Sequence, residues 1–295
     1  MNLQPWIMAI RPRTLPAAIS PLLLGNILAF SQASFSPTVA ISAMLCGLLL
    51  QVGVNLANDY FDFKSGVDTA ERLGPIRVTQ AGLIPASQVR NAMIGSLLLA
   101  ILVGVKLVWV GGPIVLGLAI LAILGAIGYS GGPFPLASHG LGELSAFLFF
   151  GLIAVVGCYF IQTQSVQPLV WALASAVGLL NAAIMLVNNT RDIHTDAKAG
   201  KRTLAVRIGQ ARAQTLYCLL LLLPYLILIG LFISGQIAGL VLILGLISAP
   251  MARILAQRFC QSEGAALNPL LGRTAMLSLF FSVLLSVGLG LDTIR

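Results

Sequence analysis

Nine apolar segments, each near the length that a membrane-crossing helix needs, run through most of the 295-residue chain. A helix requires about 20 mostly apolar residues to cross a bilayer. The mean hydropathy of +0.97 is also too high for an ordinary soluble domain. The sequence therefore predicts an all-α integral membrane protein, with residues 1–295 forming a single transmembrane domain. The predicted spans are 14–31, 38–57, 91–110, 114–130, 143–162, 168–188, 213–233, 236–256 and 274–291.

The basic residues predict how these helices are oriented. With the N-terminus in the cytoplasm, every Lys and Arg except Lys106 and Arg295 falls in a cytoplasmic segment. This asymmetry is the positive-inside pattern, and it makes the net charge of +8 mainly a topology signal. Nucleic acid is therefore not an expected partner. The longer loops and most of their acids also lie on the cytoplasmic side, so we expect the active face there.

The first acidic motif is NLANDYFDFKSGVD, residues 55–68, at the cytoplasmic end of the second predicted helix. Carboxylates beside hydrocarbon are unfavourable unless they are paired or bound to a cation. Four polar residues are spaced i, i+3, i+4 and i+7, which places them on one helical face: Asn55, Asn58, Asp59 and Asp62. Asp68 follows in a loop that can fold back towards them.

A second motif, NNTRDIHTDAKAGKR at 188–202, follows the sixth predicted helix. If the helix continues through it, four polar residues fall near one face: Asn181, Asn188, Asp192 and Asp196. The second and sixth helices thus end alike, with asparagines, then aspartates, then basic residues. This similarity suggests a weak internal repeat of two four-helix blocks, followed by a ninth helix.

Five aspartates at one membrane face would repel one another if all were ionised, unless cations lay between them. Oxygen ligands without a histidine pair favour Mg²⁺, which completes its coordination with water and substrate phosphate. The expected substrate group is therefore a diphosphate. Basic residues near both motifs are candidates to bind it: Lys64, Arg72, Arg77, Lys198, Lys201 and Arg202.

Both motifs, together with YSGGPFPLASHGLGE at 129–143, resemble the UbiA-type membrane prenyltransferase superfamily. Within it, the sequence is most similar to the branch that prenylates 1,4-dihydroxy-2-naphthoate. The superfamily's first motif commonly has another aspartate four residues after the second. That position is Gly66 in this chain, and the next aspartate is Asp68. The departure fits the naphthoate branch and argues against the 4-hydroxybenzoate, haem O and chlorophyll branches.

The resemblance implies roles for individual residues. The implied metal ligands are one asparagine and four aspartates, the aspartates also being the implied catalytic residues: Asn58, Asp59, Asp62, Asp192 and Asp196. Asn55, Asn188 and Asp68 are implied helpers in substrate binding. We also hypothesise that Tyr129 and Ser130 line the acceptor pocket. His139 is a further candidate there, although a loop role with a hydrogen bond to backbone is the favoured interpretation.

The resemblance further implies a bundle of helices around a central cavity in the bacterial cytoplasmic (inner) membrane. The implied reaction transfers a polyprenyl group from an allylic polyprenyl diphosphate to dihydroxynaphthoate, with Mg²⁺ as cofactor. Loss of the carboxylate would give demethylmenaquinone, in menaquinone biosynthesis. Two alternatives remain at this point: another aromatic acceptor within the same superfamily, and a membrane transporter that uses the acids as an ion path.

Overall fold

The computed structural model describes residues 3–66 and 73–294, and within these ranges all regular secondary structure is helical. Asp68 and Arg72 lie outside the described residues. Eight helices are long and apolar enough to cross a membrane. The longest, Ala86–Gly128, has 43 residues and leaves helical geometry at Gly112 (φ 70°), directly before Pro113. An unbroken helix of that length would measure about 65 Å, roughly twice the hydrocarbon core, so it comprises two spans.

The described ranges thus contain nine spans, in agreement with the sequence prediction, and the protein is a multi-pass integral membrane protein. We label the spans in chain order: α1 Leu15–Phe30, α2 Pro37–Lys64, α3 and α4 on either side of Gly112, α5 Gly142–Thr163, α6 Pro168–Arg191, α7 Gln210–Ile233, α8 Gly239–Cys260 and α9 Asn268–Ile294. Three short α-helices lie outside the spans in the described part of the chain: Gln4–Ile10, Ile193–Lys198 and Leu204–Ile208.

The spans differ strongly in how deeply they are buried. In an apolar 18-residue stretch of α6, 72% of residues are buried, whereas only 17% are buried in an apolar stretch of the same length in Ala86–Gly128. Helix α6 is therefore the centre of the bundle, while α3 and α4 lie at its edge with large apolar side chains such as Trp109 and Leu102 exposed. Such side chains suit a lipid-facing surface.

Glycines allow α5 to approach the central helix closely. A Cβ atom built on Gly151 would lie 2.5 Å from the Gly178 Cα in α6, so neither position tolerates a side chain without movement. Small residues permit such close backbone approach between membrane helices. The α5 backbone is π-helical over Leu148–Ile153, around this contact.

The segments that follow α2, α4 and α6 meet at one end of the bundle. The Arg202 backbone N–H donates to the Ser138 carbonyl at 2.9 Å, and the Arg207 guanidinium donates to the His139 carbonyl at 2.9 Å. The Asn268 side chain, at the start of α9, donates to the Leu73 carbonyl at 2.8 Å. These contacts bring both acidic motifs and the 129–141 loop to the same end.

Candidate active site

A cavity of about 350 Å³ opens inside the bundle, and its two ends differ in chemistry. Apolar side chains from α2, α4 and α5 form much of its wall, including Leu50, Val54, Phe149, Phe150 and Ile153. Its polar end is formed by both acidic motifs and by the segments that follow α2 and α4. The cavity therefore presents charged groups at one end and hydrocarbon along the rest of its length.

The polar end contains most of the residues that the sequence indicates. Three of the aspartates and all four of the motif asparagines line the cavity: Asp62, Asp192, Asp196, Asn55, Asn58, Asn181 and Asn188. Two of the basic candidates and two of the three acceptor-pocket candidates do so as well: Arg77, Lys201, Tyr129 and Ser130. The fold thus brings residues from four separated stretches of sequence to one cavity.

Asp62 connects the two motifs electrostatically. One carboxylate oxygen accepts a hydrogen bond from the Arg77 guanidinium at 2.8 Å, and the other lies 3.7 Å from the Lys201 ammonium. The Asp62 and Arg77 side chains are both nearly inaccessible to solvent. Two cationic groups therefore stand beside a motif-1 carboxylate at the polar end of the cavity.

The two asparagines of the first motif make different contacts. The Ser130 hydroxyl donates to the Asn58 side-chain oxygen at 2.5 Å, which ties the segment after α4 to α2. The Asn55 amide donates to the Ile10 carbonyl at 2.8 Å and to the Thr14 hydroxyl at 3.1 Å. Asn55 therefore holds the N-terminal segment against the cavity wall.

Arg191 organises the second motif, and sequence analysis did not identify it as a site residue. It is one of the most deeply buried large side chains, with only 1% of its surface exposed. Its guanidinium donates to both oxygens of Asp192 and to the side-chain oxygens of Asn188 and Asn268. A buried cation needs anionic or hydrogen-bonding partners to offset the loss of water. The position of an arginine at the end of an apolar helix could therefore have identified Arg191 as a site residue.

The helix geometry at the second motif also differs from the sequence expectation. Helix α6 ends at Arg191, Asp192 leaves helical geometry, and a new short helix begins at Ile193. Asp192 and Asp196 therefore do not continue one face of α6. The chain reorients at Asp192, yet both carboxylates still line the cavity.

The loop before α3 packs directly on the Arg191 network. A Cβ atom on Gly74 would lie 2.6 Å from an Arg191 guanidinium nitrogen, which shows how closely the backbone covers it. Asn268 holds the neighbouring residue by donating to the Leu73 carbonyl. This end of the loop therefore depends on a glycine and on contacts from the second motif.

Asp59 occupies a different place from the other motif-1 residues. It is 1% exposed and does not line the cavity. Its two carboxylate oxygens accept backbone N–H groups, from Val78 at 3.1 Å and from Thr79 at 3.0 Å. This placement differs from the sequence expectation, which grouped Asp59 with the residues that face a metal.

Three of the other basic candidates do not reach the cavity. Lys64, Lys198 and Arg202 are exposed and contribute no lining side chain. His139 also lies outside the cavity wall. A ring nitrogen of His139 lies 2.8 Å from the Pro135 carbonyl, and its ring stacks on Phe134 with a centroid separation of 3.7 Å. These contacts match the loop role that the sequence favoured for this histidine.

Tyr129 presents a neutral hydroxyl at the cavity. Burial, and then the negative charges of Glu143, Asp62 and Asp196, raises the pKa of the Tyr129 phenol well above its usual range. The hydroxyl donates to the Met185 sulfur at 3.0 Å. Nearby, the Asn189 amide donates to buried Glu143 at 2.9 Å. Tyr129 is therefore a hydrogen-bond donor rather than an anion here.

Within residues 3–66 and 73–294, no group of three or more His, Cys, Asp or Glu side chains is close enough to hold a metal by itself. Any cation at the polar end would need further oxygen ligands. The carboxamides of Asn55, Asn58 and Asn188 line the same end as the three aspartates, so oxygen donors are available there. Such a donor set suits a hard divalent cation that keeps several ligands from water or substrate.

The chain shows clear similarity to proteins of one family. The UbiA prenyltransferase family profile matches residues 18–284. A Haemophilus influenzae protein named 1,4-dihydroxy-2-naphthoate octaprenyltransferase is 35% identical, over 98% of this chain and 96% of its own. An Escherichia coli protein of the same name is 36% identical with the same coverage.

Solved structures share the fold. The structure of a UbiA homolog from Archaeoglobus fulgidus bound to DMAPP and Mg²⁺ has a TM-score of 0.66 at 18% identity and covers 96% of this chain and 99% of that one. The apo structure of a UbiA homolog from Aeropyrum pernix K1 has a TM-score of 0.67 at 16% identity and covers 99% of each chain. The profile match and the two relatives establish that the chain belongs to the UbiA prenyltransferase family.

Proposed function

We propose that this protein transfers a polyprenyl group from an allylic polyprenyl diphosphate to 1,4-dihydroxy-2-naphthoate, with decarboxylation, in menaquinone biosynthesis. The observation that carries the proposal is the two-ended cavity, in which Asp62, Arg77 and Lys201 stand over an apolar chamber. A prenyl diphosphate has the same division into a charged head and a hydrocarbon tail. The names of the Haemophilus and Escherichia relatives supply the acceptor.

Mg²⁺ is the proposed cofactor, and the solved Archaeoglobus homolog contains it together with DMAPP. The residues available to hold it here are Asn58 and Asp62 of the first motif, with Asp192 and Asp196 of the second. Because Mg²⁺ usually takes one or two carboxylates plus substrate phosphate, this donor set fits. When bound, the cation would neutralise negative charge on the diphosphate leaving group.

The protein's own cations would contribute to the same step. Arg77 and Lys201 lie where they can donate to the diphosphate as its bond to the allylic carbon breaks and negative charge develops on oxygen. The charge that remains on the prenyl group would be allylic and delocalised. Apolar walls, including Phe149 and Phe150, would keep water from capturing that cation before the acceptor does.

The acceptor ring would attack the allylic carbon through one of its own carbons. Carbon dioxide would then leave and the ring would regain aromaticity, giving demethylmenaquinol, the reduced form of demethylmenaquinone. Tyr129 and Ser130 are proposed to orient the acceptor, because both line the cavity near the first motif and Ser130 already bonds to Asn58. Neutral Tyr129 can donate to an acceptor oxygen without adding negative charge.

The proposed setting is the bacterial cytoplasmic membrane, with the polar end of the cavity at the cytoplasmic face. This orientation follows from the distribution of Lys and Arg along the sequence. A water-soluble naphthoate and a diphosphate head would both reach the cavity from that side. Membrane lipid surrounds the apolar helices, and the prenyl tail would enter the cavity from it. The clustering of polar groups at one end disfavours a transport path through the membrane.

The test is a transfer assay with purified protein in liposomes, Mg²⁺ and one polyprenyl diphosphate. Dihydroxynaphthoate, 4-hydroxybenzoate and homogentisate would be supplied in separate reactions, and the products identified by mass. We expect a prenylated product with dihydroxynaphthoate and little with the other two. Preferential prenylation of either other acceptor would move the protein to a different branch of the family, and no product with any of them would refute the proposal.

A further inference from the structure

We infer that Asp59 is a positioning residue: it seats the loop that carries Arg77 and does not bind the metal. This inference deepens the proposed prenyl transfer and rests on it for the assignment of Arg77 to the diphosphate. The loop is the stretch 73–85 between α2 and α3, which we call the arginine loop. Arg77 precedes the two residues whose backbone N–H groups donate to Asp59, Val78 and Thr79.

The contact is specific to a carboxylate. Each Asp59 oxygen accepts one backbone N–H, at 3.1 and 3.0 Å, so both ends of the charged group are engaged. Hydrogen bonds from backbone N–H to an ionised carboxylate are stronger than those between neutral groups. An asparagine would retain one acceptor and turn an NH₂ donor towards the other N–H. The site therefore selects aspartate without any need for a metal.

Burial separates Asp59 from the cavity chemistry. Asp59 is 1% exposed and lies outside the cavity wall, whereas Asp62, one helical turn further along α2, lines it. Asp62 also receives the Arg77 guanidinium at 2.8 Å. The two aspartates thus fix different parts of one arginine: Asp59 holds the backbone that follows it, and Asp62 contacts its side chain.

The rest of the arginine loop is built around the same point. The Val78 carbonyl accepts the N–H groups of Leu83 and Ile84, which closes the loop into a compact turn. Val78 and Ile84 are buried in one apolar cluster with Leu56 and Ala57 of α2. This packing holds the loop against α2, while the Asp59 hydrogen bonds fix where Val78 and Thr79 lie along that helix. If Val78 and Thr79 moved along α2, Arg77 would move along the cavity with them.

The first experiment compares Asp59→Asn with Asp62→Asn as the matched variant that alters a cavity-lining carboxylate. We expect Asp59→Asn to raise the KM for prenyl diphosphate about tenfold, the effect of losing one charge-assisted hydrogen bond in the bound geometry. The Mg²⁺ concentration for half-maximal rate, measured at saturating prenyl diphosphate, should stay at the wild-type value. Asp62→Asn should raise it. An equal rise in the Mg²⁺ concentration for half-maximal rate in both variants would overturn the inference.

A double-mutant cycle tests whether Asp59 acts through Arg77. Coupled residues give non-additive effects, so Asp59→Asn should change KM by less than about twofold in an Arg77→Ala background. In a Lys201→Ala background it should keep its full effect of about tenfold. Full multiplicative loss in the Arg77→Ala background would show that Asp59 does not work through that arginine.

A measurement on the wild-type protein covers the case in which Asp59→Asn does not fold. Hydrogen exchange of peptides spanning 73–85 would be followed without ligand and then with Mg²⁺ and inorganic pyrophosphate. We expect the Val78 and Thr79 amides to stay protected in both conditions, because Asp59 keeps its backbone contacts. If Asp59 moved to a metal, these amides would lose protection, and that result would overturn the inference. This readout requires no turnover, so it is independent of which acceptor the protein uses.

Discussion

Lys201 and Asp62 place the two acidic motifs within ionic contact, with 3.7 Å between the Lys201 ammonium nitrogen and an Asp62 carboxylate oxygen. The same carboxylate group receives Arg77 through its other oxygen at 2.8 Å. Residues from the second motif and from the arginine loop therefore converge on one carboxylate of the first. This convergence makes the polar end of the cavity a single site rather than two neighbouring helix ends.

Replacing Lys201 should weaken diphosphate binding without unfolding the protein. Lys201 lines the cavity, and its ammonium contributes charge rather than a fixed hydrogen bond at 3.7 Å. We expect Lys201→Ala to raise the KM for prenyl diphosphate by about tenfold, the usual scale for removing one charge-assisted contact. Arg212→Ala, which removes an exposed cation outside the cavity, is the matched control. Equal KM changes in the two variants would point to a general charge effect.

Replacing Arg191 should destabilise the protein as well as inactivate it. Its guanidinium serves Asp192, Asn188 and Asn268 in a buried setting. Removing one partner of a buried ion pair typically costs about 3 kcal/mol or more, so Arg191→Ala should lower the melting temperature in detergent. Arg191→Lys should recover only part of the loss, because an ammonium lacks the planar donor arrangement. A melting temperature equal to that of Arg273→Ala, an exposed site, would contradict this role.

Removal of Mg²⁺ should stop turnover and leave the apo fold nearly intact. The lining carboxylates Asp62 and Asp192 already have protein partners, in Arg77 and Arg191. We therefore expect EDTA to abolish product formation, and excess Mg²⁺ to restore it. The melting temperature without prenyl diphosphate should change little. Undiminished turnover in EDTA would exclude the proposed cofactor, and unfolding in EDTA would indicate a structural metal instead.

The membrane architecture was predictable from the sequence because it depends on the local length and composition of apolar segments. The nine predicted spans correspond to the observed helices, including the two that Gly112 separates within Ala86–Gly128. Helical spacing also identified the polar face of α2 that carries Asn55, Asn58 and Asp62. The family resemblance added the reaction, which spacing alone does not specify.

The details that sequence missed depend on tertiary contacts. Helical spacing groups Asp59 with Asp62. Only the packing of the arginine loop shows that the Asp59 carboxylate oxygens accept the backbone N–H groups of Val78 and Thr79. The break after Arg191 likewise arises where the guanidinium turns back to Asp192 and reaches Asn268 of α9. The basic residues near the two motifs are equally plausible diphosphate ligands by their distance in sequence. In the structure, however, Arg77 and Lys201 reach the cavity and Lys64 does not.

The most direct measurement of the central claim follows the carboxyl carbon of the acceptor. Dihydroxynaphthoate labelled at that carbon would be incubated with the purified protein, Mg²⁺ and a polyprenyl diphosphate. We expect labelled carbon dioxide and pyrophosphate to appear together, in equal amounts with an unlabelled prenylated naphthoquinol, and none of these without the prenyl donor. Folded, Mg²⁺-loaded protein that yields neither pyrophosphate nor a prenylated naphthalene product would contradict the proposed function.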